Sequence, residues 1–302
     1  MPASVLDSLP GESARAGSVA AVAAELVACG SIEMGAEAPE DARRIAELLP
    51  AGTPVYVNHL PRHELPHTLA ALVALREAGL EPVPHIAARR VTSRAEVRAF
   101  LDRAVRVAGV AKALLIAGDV RVPVGPYADS AALIRDGVLA ESGLQQVGLP
   151  GYPEGHPQVA TAALNAALGE KLALLAEQRL AAYVVTQFSF APHRIVEYCA
   201  DLTRRAPGVP VYVGLAGPTT PRRLIKFAQR CGVSASLRAL QAEGMRAVHL
   251  FTHVDPSAQL TAIARHASSG SASNVVGVHL YSFGGVTPTA TWMNAQIRGG
   301  GR

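Results

Sequence analysis

The chain is poor in the residues and runs that announce the commoner protein chemistries. Three cysteines, Cys29, Cys199 and Cys231, are spread over 302 residues without ligand spacing. That excludes a disulfide framework and argues against a cysteine zinc centre; it predicts reduced, small core residues instead. No apolar run approaches the ~18 residues of a membrane helix, so no span is expected. The Ala/Val-rich stretch Val19 to Ala28 lacks a basic region before it and contains Glu25. It reads as an N-terminal helix at the bottom of the fold, not as a signal peptide. There is no G-x-S-x-G elbow, P-loop or G-x-G-x-x-G fingerprint, and Gly284-Gly285 and Gly299 to Gly301 do not supply one. Charge of one sign is also scarce: the net charge is +4, and the arginines are scattered over predicted helices. No nucleic-acid stripe results, only a weak preference for anionic ligands. His59, His63 and His67 stand at helical spacing, but Pro61 and Pro66 interrupt any helix there, and no metal is expected. These absences together predict a cytoplasmic protein with a small-molecule partner.

What is present is a long alternation. Hydrophobic residues make up 49% of the chain, enough for one large core or for a single α/β barrel. Short β-rich runs cover 30–34, 53–59, 81–87, 112–117, 144–149, 182–187 and 210–215. Helical patterns lie between them, at 40–49, 65–78, from Ser93, from about Ser130, at 159–179, 195–205 and 220–230. Gly79 stands where a helix C-terminus wants glycine, and Ser93 with Glu96 forms a capping box. For the last strand, 246–252 and 274–281 both qualify; the second is favoured, with 235–268 helical around a break at Asp255-Pro256. Alternation of this kind predicts parallel βαβ units, hence a (β/α)8 TIM barrel, with a doubly wound open sheet as the alternative. The expected organisation is an N-terminal helical extension over 1–29, a single barrel domain over 30–290 and a flexible tail over 291–302.

In a barrel the chemistry sits at the C-terminal ends of the strands. Polar residues collect at those positions here: Glu33, Asn58, His59, His85, Asp119, Tyr152 to His156, Gln187, and His279 to Ser282. The densest stretch is Pro150 to Pro157, where prolines and glycines end a strand and a loop displays Tyr152, Glu154 and His156.

The order of these motifs resembles the methylenetetrahydrofolate reductase family. The matching pieces are Ser31-Ile32-Glu33-Met34, Pro84-His85, Gly118-Asp119 and the loop Pro126-Tyr127-Ala128-Asp129-Ser130. They continue with Gly151-Tyr152-Pro153-Glu154-Gly155-His156-Pro157, Lys171 on the next helix, and Thr186-Gln187-Phe188-Ser189-Phe190. Gly214 to Pro218 and Lys226-Phe227-Ala228 complete a match over roughly 30–285. Tyr-Pro-Glu-x-His-Pro and Thr-Gln-x-x-Phe are its specific parts.

The resemblance implies a flavoprotein in which NAD(P)H reduces FAD and hydride passes to 5,10-methylenetetrahydrofolate, giving 5-methyltetrahydrofolate. That places it in one-carbon metabolism and methionine biosynthesis, with the reverse direction open. The methylene bridge must open to an iminium cation, which needs an acid at the leaving nitrogen. By resemblance that acid is Glu33, and Asp119 binds the pterin and offsets the developing charge. Gln187, Phe188 and Phe190 would contact the folate. His85, Gly118, Asp119, Tyr127, Ala128, Tyr152, His156, Asn165 and Lys171 would hold the flavin and its phosphates. The family's frequent oligomerisation adds a homo-oligomer as a partner expectation. The chain departs from the pattern at Ala117, where the family often has Arg, at Met34-Gly35-Ala36, and at Asn58-His59. Two alternatives stay open: a flavin-independent reductase of the same substrate, and a folate-binding subunit without turnover.

Overall fold

A computed structural model describes residues 18–59, 65–230, 233, 255–269, 273–283 and 285–299. Eight strands close into one barrel in chain order: β1 Ser31–Met34, β2 Pro54–Val57, β3 Glu81–Ala87, β4 Lys112–Ile116, β5 Gln146–Gly151, β6 Ala181–Thr186, β7 Val211–Ala216 and β8 Val275–Tyr281. Every neighbouring pair is parallel, and β8 closes the ring on β1 through Ser31↔His279 and Ile32↔Leu280. This is the (β/α)8 barrel that the alternation predicts, and the open-sheet alternative is excluded. The second candidate for the last strand forms it; the first, 246–252, lies outside the described residues.

The period-two pattern of the strands sorts side chains into two layers. Ile32, Met34, Val55, Val57, Ile86, Leu115 and their like face outward into a large core shared with the helices. Inside the barrel, Tyr56, Val83, Leu114, Tyr183 and Val185 form a separate apolar cluster. Glycine makes room for the large rings in it. A Cβ on Gly148 would stand 2.6 Å from the Tyr183 ring, so only glycine fits opposite that tyrosine.

Details differ from the sequence reading. β5 runs on to Gly151 instead of ending at Leu149, because the donor missing at Pro150 does not stop the pairing with β6: Gln187 N–H donates to the Gly151 carbonyl at 2.7 Å. Residues 291–299 are not a tail; they belong to the helix Val286–Gly299, anchored by buried Ala290 and Met293. Cys199 is buried as expected, but Cys29 is exposed at the turn after the first helix, and Cys231 lies outside the described residues. The helix Val19–Ala28 buries Val22, Leu26 and Val27 and packs on β8 and on the helices flanking it, Ser257–Ser268 and Val286–Gly299. Ser93 does cap the helix Arg94–Ala108, accepting from Glu96 N–H at 3.1 Å. The Glu96 carboxylate reaches back to Thr92 N–H at 2.7 Å, one residue earlier than the box prescribes. Among the described residues, no helix is long and apolar enough to cross a membrane.

Candidate functional site

Glu33 stands near the C-terminal end of β1, two residues after Ser31 and on the same inward face. Its side chain is buried, 7% exposed as a residue, and three strands converge on it. From β8, His279 Nε2 lies 3.4 Å from Glu33 Oε1. From β3, His85 Nε2 lies 3.8 Å from the same oxygen. From the end of β2, Asn58 Nδ2–H donates to Glu33 Oε2 at 3.3 Å. His279 is itself fixed from behind, its Nδ1 2.8 Å from Ser31 Oγ. Ser282 Oγ–H donates to the Glu33 backbone carbonyl at 2.5 Å. The cluster exists only because the barrel closes: Glu33 and His279 are 246 positions apart.

Burial by itself would push the Glu33 carboxyl upward. The hydrogen bond from His279, the positive potential of His85 and His279, and the Asn58 amide outweigh it and hold the group below its ordinary value. His85 moves down to about 4, first because it is buried, and further because His279 and His59 repel its charge; attraction to Glu33 only partly offsets this. The resting cluster near neutral pH therefore contains a carboxylate and a neutral His85. The Nε2 of His85 makes no hydrogen bond to the described residues. A buried imidazole nitrogen aimed at a carboxylate, with no bond of its own, has capacity to spare for a ligand.

Beside the cluster, rings line the mouth over β6 and β8. Tyr281 packs edge-on to His279 at 4.8 Å and to Phe188 at 5.6 Å. Phe188 meets Phe190 at 5.6 Å and Phe283 at 5.1 Å, and Phe227 stacks on Phe283 at 4.6 Å. The buried Phe188 and Phe190 form one apolar cluster with Leu224, Ala228 and Phe283. Gln187 is half-buried at the head of the loop, its Oε1 accepting from Phe188 N–H at 3.2 Å. The expected substrate residues thus share one wall, joined to Glu33 through Tyr281 and His279.

The expected flavin positions are more scattered. Gly118, Asp119 and Ala128 follow β4, and Tyr152 and His156 follow the adjacent β5, their rings edge to face at 5.5 Å. Lys171, half-buried, feels Asp129 beside Ala128, and burial lowers its ammonium. The positions that follow β4 and β5 lie along one arc of the mouth. Asp119 is exposed there, its carboxylate 4.0 Å from Arg90, and it belongs to that arc instead of the Glu33 cluster. Two expected positions leave the arc: His85 belongs to the Glu33 cluster, and Tyr127 is buried in the outer core. Asn165 lines a cavity of about 370 Å³ between the β5 loop and two helices, with Tyr152, Arg194 and Tyr198. Sequence reasoning placed Asn58 and His279 to Ser282 among the polar strand ends without assigning them a role, and gave none to Ser31 or Tyr56. The signal that could have found these two is period two, since Ser31 precedes Glu33, and Tyr56 precedes Asn58, by two residues. Of the three histidines at helical spacing, His63 lies outside the described residues; among those described, no set of His, Cys, Asp and Glu is arranged to hold a metal ion.

No protein-family model matches the chain. Among solved structures, it is similar to an uncharacterized protein from Clostridium thermocellum that binds two copies of 5-methyl-5,6,7,8-tetrahydrofolic acid. The identity is 14% and the TM-score 0.60, over 88% of this chain and 94% of that one. Looser likenesses are to dihydropteroate synthase from Thermus thermophilus (14% identity, TM-score 0.46, 88% and 92% covered) and to the tryptophan synthase A-subunit of Pyrococcus furiosus (13%, 0.49, 89% and 96%). At such identities the likeness is one of fold.

Proposed function

We propose that the chain binds a reduced folate over Glu33 and acts as a methylenetetrahydrofolate reductase. One observation carries the reading: a buried carboxylate at the barrel mouth with both oxygens engaged, beside an aromatic wall. The strand-end motifs support it, and so does the fold shared with a barrel that binds 5-methyltetrahydrofolate. The pteridine would lie against Tyr281, whose ring the fully buried Phe188 backs, with Gln187 orienting it. Opening the methylene bridge creates an iminium cation, which a carboxylate in a site shielded from water attracts strongly. Because Glu33 rests ionised, the proton for the leaving nitrogen would first be taken up from solvent at the Glu33 carboxylate, where one oxygen lies within 4.0 Å of two imidazole nitrogens, and then be passed on. In the reverse direction the resting carboxylate is already the base.

FAD, when bound, supplies the hydride carrier between NAD(P)H and the folate; Gly118, Asp119, Ala128, Tyr152, His156 and Lys171 would hold it. Tyr127, buried in the outer core, favours a second reading in which NADH gives hydride to the folate directly. Two measurements test these readings. The first is calorimetric titration with 5-methyltetrahydrofolate, in which absence of binding would refute both. The second is the visible spectrum before and after anaerobic NADH: flavin bands that bleach support the first reading, and a colourless but active protein supports the second.

A further inference from the structure

Below the Glu33 cluster the barrel interior is filled by tyrosine. Tyr56 on β2 is 2% exposed, and its ring meets two imidazoles edge-on, His279 at 4.6 Å and His85 at 5.8 Å between centroids. Its hydroxyl donates to the Tyr183 hydroxyl on β6 at 3.0 Å, across the barrel. Tyr183 in turn packs edge-on against Tyr212 on β7 at 5.7 Å. Both imidazoles that face Glu33 therefore rest on one ring, and that ring is tied to the opposite wall. Nothing in the bridge-opening chemistry uses this phenol, whose hydroxyl is engaged by Tyr183.

We propose that Tyr56 is a positioning residue: its ring is the wall that turns His85 and His279 toward Glu33, and Tyr183 holds that ring in place. The inference deepens the reading of Glu33 as the reactive group, but does not require that the substrate be a folate. A planar ring in this place does two things. It fixes the two imidazoles by edge contacts that an aliphatic side chain cannot reproduce. It also fills the space through which water would reach His85 from below. The groups facing His85 are Glu33 from β1, Tyr56 and His59 from β2 and the residues after it, and His279 from β8.

The test is a histidine titration by nuclear magnetic resonance on the full chain labelled with 15N-histidine, assigned with His85→Gln and His279→Gln. In the unmodified protein His85 is expected to titrate at about 4. In Tyr56→Leu it rises toward the ordinary histidine value. Tyr56→Phe keeps the ring and lacks only the bond to Tyr183; it melts earlier, and His85 moves in the same direction as in Tyr56→Leu but less. Val185→Ala opens space in the same interior layer and serves as the control that loses stability without moving the histidines. If Tyr56→Leu folds and His85 titrates as before, the proposal is overturned. It is equally overturned if Val185→Ala shifts His85 as far as Tyr56→Leu does, since the ring would then be ordinary packing. Should Tyr56→Leu fail to fold, Tyr56→Met carries the same expectations. No folate enters the experiment, so a chain that binds none refutes the reductase reading without touching this one.

Discussion

Glu33 and His85 give the site a pH dependence whose sign follows from their environments. A carboxyl held below its ordinary value stabilises the fold above that value, and the contribution is lost as the pH falls through the folded value. His85 acts in the same direction. Its folded value of about 4 lies under the ordinary 6.5, so between those limits the unfolded chain takes up a proton that the folded chain refuses. Stability is therefore expected to fall as the pH drops from about 6.5 to about 4, by roughly 3 kcal/mol from His85, taking about 1.4 kcal/mol for each pH step of one. Urea midpoints measured across that range check it. His85→Gln, which cannot titrate, should flatten the slope; an unchanged slope in that variant would assign the acid sensitivity elsewhere. Glu33 itself was legible in the sequence, through the Ser-Ile-Glu-Met resemblance. Its partners Asn58, His85 and His279 stood among the polar strand ends, but their grouping around Glu33 was not legible, because side-chain direction inside a closed barrel depends on register, and the pairing of Ser31 with His279 is a fact of closure.

At the scale of elements, the strands were legible because β-branched and aromatic runs alternate so regularly with helical patterns. Their ends were less so. Proline in β5 marks a strand end by its missing donor, yet this strand goes on to Gly151, whose carbonyl accepts from Gln187 N–H. The last helix was hidden by its glycine-rich end, while the apolar contacts of Ala290 and Met293 decide its fate. Two substitutions test the local accounts. A Cβ on Gly214 would stand 2.0 Å from the Thr186 carbonyl oxygen and 2.7 Å from the Tyr281 ring. Gly214→Ala should therefore cost about 1–3 kcal/mol or more, read as a lower melting temperature. It should also weaken folate binding, because Tyr281 links the aromatic wall to His279. Ser93→Ala removes a helix cap outside the Glu33 cluster and should cost about 1 kcal/mol in a urea titration. A cost near zero would mean that Glu96 and Thr92 close that helix end without the serine.

The whole molecule is a scaffold that converts distance in sequence into proximity at one rim. β8 and β1 meet at closure, β2 and β3 follow, and their C-terminal ends place an acid, an amide and two imidazoles within a few ångströms. β4 and β5 supply the neighbouring arc, and β6 with β8 the aromatic wall. Hydrophobic patterning determined the barrel, but no pattern in one sequence ranks the polar strand ends by function; the motif resemblance supplies an expected role for Glu33 and Gln187. It placed His85 on the flavin, where the structure gives it to Glu33. The central claim is that Glu33 serves hydride transfer to a folate. The most direct measurement is anaerobic conversion of 5,10-methylenetetrahydrofolate with NADH and added FAD, followed by mass spectrometry of 5-methyltetrahydrofolate, in the unmodified chain and in Glu33→Gln. The account expects product from the first, and a rate lower by about 10²–10⁴-fold from the second with folate affinity retained. Equal rates in the two proteins would contradict it.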